Sequence, residues 1–129
     1  MLIKTEVEVT PRRIADLMVT AIEGGIDYWC NSVKLLTAYP EHQPWYDDEN
    51  LYSGGDISIE VVELDPSSEE NVEGSWIINL ASMEKAFCLM QEYGTPKGWH
   101  WRNFITENDD AETADVWFQL TVFGEVVYG

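Results

Sequence analysis

The chain has 129 residues, enough for one domain with a single sizeable core. Its 24 acids against 7 bases leave a formal charge of −17, which argues against direct binding to nucleic-acid phosphates or to an anionic membrane. Cys30 and Cys88 show no CxxC spacing, which argues against a thiolate metal centre; with no signal-like or span-length apolar run, the expectation is a cytoplasmic protein with free thiols.

In chain order, residues 2–10 alternate Ile3, Thr5, Val7 and Val9 with Lys4, Glu6 and Glu8, which predicts a half-buried strand. Thr10-Pro11 supplies an N-cap and a proline at the first helical position. The helix that follows carries Ile14, Leu17, Met18, Ala21 and Ile22 at helical spacing, and Gly24-Gly25 is expected to stop it. Residues 26–39 read as a strand on Tyr28, Trp29, Val33 and Tyr39. Residues 40–55, with Pro40, Pro44, Asn50, Gly54 and Gly55, read as a long loop.

Residues 56–64 alternate again, with Ile57, Ile59 and Val61 on one face. Trp76, Ile78 and Leu80 do the same in the next segment, so the two predict an antiparallel hairpin with a long acidic tip. Ser82 is expected to cap a helix carrying Met83, Ala86, Phe87 and Met90, ended by Gly94 and Pro96. Residues 98–107 predict a short helix. Asp110 is expected to cap a last one with an inward stripe of Val116, Trp117, Leu120, Phe123 and Val127. The order β-α-β-β-β-α-α-α implies one α+β domain over 1–129. Its mostly antiparallel sheet of about four strands is covered on one face by helices.

Charge is distributed unevenly. From Lys34 to Lys85 no lysine or arginine interrupts twelve carboxylates, and Trp45, Tyr46, Tyr52 and Trp76 lie in the same stretch. Acid alone would predict disorder; acid with aromatics and β-branched residues predicts a folded domain with a strongly negative face. The face expected to meet a partner comprises Asp47, Asp48, Glu49, Glu60, Glu63, Asp65, Glu69, Glu70 and Glu73. Trp45, Tyr46 and Tyr52 serve there as interface anchors or, alternatively, fold back over the core edge. Asp16 and Glu23 read as acids away from this face. The plainer reading of all these acids is a solvated, solubilising surface.

No constellation names a chemistry. Asp109, Asp110, Glu112, Asp115 and Glu125 cluster, but Asp110 reads as a cap and no nucleophile accompanies them. Asp47, Asp48, Glu49, Asn50 and Asp56 offer oxygens suited to calcium or magnesium, without the spacing of an EF-hand loop. His42 and His100 lie in no nucleophile motif, and the Gly-Gly pairs lack a phosphate-loop context. The expectation is therefore a non-enzyme with no metal and no cofactor.

Residues 107–116, continuing to Leu120 and closing Phe123-Gly124-Glu125-Val126-Val127-Tyr128-Gly129, resemble the ending of a family of small bacteriophage and prophage proteins. Ile14-Ala15-Asp16-Leu17, Glu23-Gly24-Gly25 and Tyr28-Trp29 are similar to the same family. Most members have no assigned function, so no catalytic residues carry over. The resemblance implies a phage setting, in which small acidic proteins often inhibit host defence, as anti-CRISPR proteins do, some by imitating DNA. The expected partner is a host defence protein with a basic nucleic-acid-binding surface. The rival readings are a phage assembly protein without mimicry and a small-molecule-binding domain that sequesters a defence signal.

Overall fold

The computed structural model describes residues 2–3, 7–37, 43–64, 74–92, 99–107 and 110–129. Two residues each of β1 (Leu2–Ile3) and β2 (Val7–Glu8) pair antiparallel, Leu2 opposite Glu8 and Ile3 opposite Val7. The expected single strand over 2–10 is therefore two short ones. Alternation of apolar and polar residues specifies extended chain, but it carries no information about a reversal of direction.

Helix α1 (Pro11–Thr20) starts as its sequence dictates. Thr10 is extended, its Oγ1 accepts from the Arg13 N–H at 3.3 Å, and Pro11 opens the helix. Ile14, Ala15, Leu17 and Met18 are buried. The helical run ends at the glycine pair as expected, but its last turn is not α-helical. Residues Ala21–Gly25 continue it as a wider π-helical turn, in which the Ile26 N–H reaches the Ala21 carbonyl at 3.0 Å. Gly25 is required for a different reason: a Cβ there would lie 2.9 Å from the Ala111 carbonyl oxygen, so only glycine lets this turn approach the last helix.

The main sheet has three antiparallel strands among the described residues: β3 (Cys30–Leu35), β4 (Ile59–Glu63) and β5 (Gly74–Ile78), with β4 central. β1 and β2 form a separate pair, so the main sheet shows three of the expected four or so strands among the described residues. Val33 faces Val61 and Leu35 faces Ile59, while Ile59 faces Ile78 and Val61 faces Trp76. The expected hairpin pairing of the last two strands is present; its acidic tip, 65–73, lies outside the described residues. Ile57, Ile59, Val61 and Ile78 are buried on the helix side, as the alternation predicts. Trp76 stays 41% exposed because β5 is an edge strand, although its ring meets the edge of Phe123 at 5.2 Å.

Helix α2 (Leu80–Met90) begins earlier than expected. Asn79, not Ser82, is its N-cap, and Ser82 sits at the third helical position to close a capping box: its N–H donates to Asn79 Oδ1 at 3.0 Å and its hydroxyl accepts from the Asn79 N–H at 2.8 Å. Leu80 thus belongs to the helix rather than to the strand. The expected stop at Gly94 and Pro96 lies outside the described residues. Helix α3 (Trp99–Ile105) buries Trp101 and Phe104. Helix α4 (Ala111–Phe123) is capped by Asp110, whose Oδ1 accepts from the Thr113 N–H at 2.9 Å. It closes on Gly124, left-handed at φ 75°.

α4 is more deeply placed than a one-face stripe implies. Every residue from Thr113 to Thr121 is buried, so the helix runs through the middle of the core with other elements packed around it. Val127, expected on its stripe, lies beyond the helix and is exposed. Trp117 packs against Phe87 at 5.3 Å and has no access to water. Its indole N–H has no hydrogen-bond partner among the described residues.

Asp115, on the same helix, is only 8% exposed. It accepts from the Trp29 indole N–H at 2.8 Å, the Tyr28 hydroxyl at 2.6 Å and Gln119 Nε2 at 2.9 Å.

Trp117→Ala is expected to lose about 3–5 kcal/mol by the cost of large-to-small core changes. Trp117→Phe should lose clearly less, because it removes a donor that is already unpartnered. Urea unfolding of the two variants checks this, and equal losses would contradict it. Asp115→Ala should cost about 2–4 kcal/mol, since it strands the buried Trp29 and Gln119 donors. Asp115→Asn should recover part of that in the same assay by keeping an acceptor oxygen.

Candidate functional site

The acidic residues expected to form one face divide into three groups. Glu60 projects from the outer side of β4, in register with Lys34 on one neighbour and Ile77 on the other. Glu63 is 7% exposed and belongs to the interior: Oε1 accepts from the Trp76 indole N–H at 3.1 Å, and Oε2 accepts a short hydrogen bond from the Tyr128 hydroxyl. It is a structural acceptor rather than part of a surface, because β4 alternates inward at Ile59, Val61 and Glu63. Asp65, Glu69, Glu70 and Glu73 lie outside the described residues.

The third group is built into a face. Residues 45–52 form two short 3₁₀ turns, Trp45–Asp47 and Glu49–Tyr52, that dock on α1. The second turn is capped by Asp48, whose Oδ1 accepts from the Asn50 N–H at 3.0 Å. Tyr52 is buried at 3% exposure and donates its hydroxyl to the Tyr46 carbonyl at 2.8 Å. Trp45 and Tyr46 are half-buried, ring edge to ring face at 5.4 Å. The aromatics of this segment therefore fold back over the core edge, and two of them keep part of their surface in solvent.

Charge fastens the segment to the helix. Arg12 donates Nε to Asp16 at 3.1 Å and makes a short ion pair with Asp47. The Tyr46 hydroxyl donates to Glu23 at 2.7 Å. Positions 12 and 16 fall within about 40° of one another at 100° per residue, opposite Ile14, Leu17 and Met18, and Glu23 lies on the π turn that follows, within reach of Tyr46. Asp16 and Glu23 are thus not remote from the face. Asp47 meets Asp16 at Arg12, and Tyr46 meets Glu23, so α1 shares this face with the docked segment. The helical spacing in the sequence marks the shared side of Arg12 and Asp16; what it cannot mark is that residues 45–52 lie beside it.

The same contacts fix the phenols. The hydrogen bond to Glu23 raises the Tyr46 pKa from 10.0 to about 12, because ionising would set two negative charges side by side. Burial is the main cause raising the pKa of Tyr52, and burial followed by the Asp115 hydrogen bond raises that of Tyr28.

A cleft of about 460 Å³ opens where α1, α2 and residues 52–54 meet, lined by Val9, Pro11, Tyr52, Leu80, Ala81 and Glu84 among others. No local signal announces it, since its walls come from separate stretches of chain. Burial raises the Cys30 thiol to about 11, which makes it a poor nucleophile. His100 is buried with Nδ1 3.1 Å from the Thr113 hydroxyl, a packing position. Among the described residues, no three His, Cys, Asp or Glu side chains gather as a metal site would need, and no helix is long and apolar enough to cross a membrane.

The fold and this surface together define an α+β protein that presents acid and aromatic side chains on a docked segment. No protein-family model, no curated protein and no solved structure matches the chain.

Because the raised Tyr46 pKa means that the folded state holds this proton more tightly than the unfolded one, its contribution to stability is complete below pH 10.0 and is lost as pH rises through about 12. In a tyrosinate absorbance titration, Tyr46→Phe should delete a step near pH 12, and Glu23→Gln should move that step toward 10.0. An unchanged titration in both variants would show that the segment is not held to α1 through this contact.

Proposed function

We propose that this chain is a stoichiometric inhibitor that binds a basic, nucleic-acid-binding surface on another protein through the face made by α1 and residues 45–49. The carrying observation is the docking itself: Asp16 and Asp47 meet at Arg12, Glu23 holds the Tyr46 hydroxyl, and Trp45 and Tyr46 stay half-exposed beside them, with Asp48 and Glu49 next along the docked segment. Acids of this kind steer a positive partner and set its register, while aromatic side chains hold the complex. The segment is already seated on the helix, so little ordering cost remains for the binding step.

The acids around Arg12 and Tyr46 stand in for the phosphates that a basic nucleic-acid-binding groove would meet, so the face acts as a DNA mimic toward its partner. The likeness of the chain's ends to phage proteins supports a phage-encoded antagonist of a host defence protein, anti-CRISPR-like in action, working in the host cytoplasm.

The test compares two variants of equal charge by affinity capture from bacterial lysate at low and high salt. One carries Asp16→Asn, Glu23→Gln, Asp48→Asn and Glu49→Gln; the other carries Glu8→Gln, Glu92→Gln, Glu107→Gln and Glu125→Gln. The unaltered protein and the second variant should retain basic nucleic-acid-binding partners at low salt and release them at high salt, while the first variant loses them throughout. Equal loss in both variants would show that bulk charge alone matters. A partner insensitive to salt and to both variants would favour apolar assembly instead.

A further inference from the structure

The geometry points to the cleft at the starts of α1 and α2 as the seat of one arginine side chain of the protein partner, a specific anchor beside the acidic face; this inference rests on the proposed function. The cleft's 460 Å³ falls within the range of small-ligand sites, about 300–1,000 Å³. Val9, Pro11, Tyr52, Leu80 and Ala81 make its walls largely apolar, and Glu84 stands exposed at its edge. A smaller hollow of about 200 Å³ shares Leu80 and Ala81 with it and adds Asp56, also exposed. Apolar walls with carboxylates at the rim match a long aliphatic stem that ends in a cation. The planar fork of a guanidinium suits carboxylates better than the point charge of an ammonium.

Two further observations narrow the occupant. Helix starts commonly attract anions, but here each start already has a capping acceptor, Thr10 Oγ1 for the Arg13 N–H at α1 and Asn79 Oδ1 for the Ser82 N–H at α2, and Pro11 brings no N–H. With Glu84 and Asp56 at the edge, the cleft disfavours a phosphate-bearing signal molecule, and so disfavours the sequestering alternative. The cleft is also continuous with the acidic face. Tyr52, Ser53 and Gly54 extend the segment that carries Trp45 to Glu49, and Pro11 adjoins Arg12. A partner drawn to the face thus meets the cleft within the same footprint.

The probe is N-acetyl-arginine amide, titrated into the full ¹⁵N-labelled chain alongside N-acetyl-citrulline amide, its uncharged isostere. The arginine probe should shift the amides of Ser53, Gly54, Ala81 and Glu84, and should bind about fivefold tighter than citrulline, the upper end for a solvent-exposed ion pair. Glu84→Gln should erase most of that preference. Ala81→Phe, which fills the cleft from an exposed helical position, should abolish binding of both probes. Shifts that map to Asp16 and Glu23 instead, equal binding of the two probes, a preference that survives Glu84→Gln, or no shift at all would each overturn the assignment. The four-acid variant of the α1 face should bind the arginine probe in the cleft as the unaltered chain does. If the probe seats there while that variant still captures its partner, the acidic-face reading fails and the cleft stands. If the variant loses its partner while the probe ignores the cleft, the cleft alone fails.

Discussion

A carboxylate buried in the middle of the last helix joins the parts of this protein that lie far apart in sequence. Asp115 holds the Trp29 indole, the Tyr28 hydroxyl and the Gln119 amide at once. Gln119 then passes the constraint on. Its Oε1 accepts the N–H groups of Val127 at 2.9 Å and Tyr128 at 2.8 Å, and its Nε2 donates to the Tyr128 carbonyl at 3.2 Å. Tyr128 in turn lies flat against Trp29, with ring centroids 5.5 Å apart, and donates its hydroxyl to Glu63 on the central strand. Helix, sheet and final segment are thus fastened by one chain of satisfied polar groups. A buried charge is costly unless hydrogen bonds surround it, and such networks specify one arrangement because a shifted one would leave members unpaired.

That network has a consequence for the surface. Glu63 and Asp115 are drawn inward as acceptors for indole and phenol groups, while the other acids among the described residues keep solvent exposure and repel one another. Few bases relieve them. Arg12 is spent between Asp16 and Asp47, and Arg13 lies over the Phe104 ring at 4.3 Å while donating to the Phe104 carbonyl. A core of tryptophan and phenylalanine stacked around α4 supplies the burial that tolerates this repulsion, since apolar area is worth roughly 25 cal/mol per Å². The acidic surface is therefore carried by a well-filled interior.

Local signals were legible wherever a short stretch decides the outcome alone. Thr10-Pro11 and Asp110 cap the helices that they announce, and Ile57, Ile59 and Val61 point to the core as alternation requires. Signals failed where two short rules competed. Ser82 and Asn79 both suit a cap, and the box they form together puts the helix start at the first of them. Gly24-Gly25 does end the helical run, but the pair gives no sign of the π turn it closes or of the tight contact with Ala111 that calls for glycine. The stripe on α4 is buried at Val116, Trp117 and Leu120 as expected, but a one-sided pattern understates a helix buried at every position from Thr113 to Thr121.

The candidate site divides along the same line. By itself the sequence determined the excess of acid, the stretch without bases and the aromatic content of residues 45–52, because composition is a property of neighbours in the chain. Only the tertiary structure decided that Glu63 turns inward, that residues 45–52 dock against α1, and that a cleft opens between Val9, Tyr52 and Glu84. Those outcomes depend on which distant side chains satisfy one another's hydrogen bonds and fill one another's space. Spacing along the chain holds no record of such pairings.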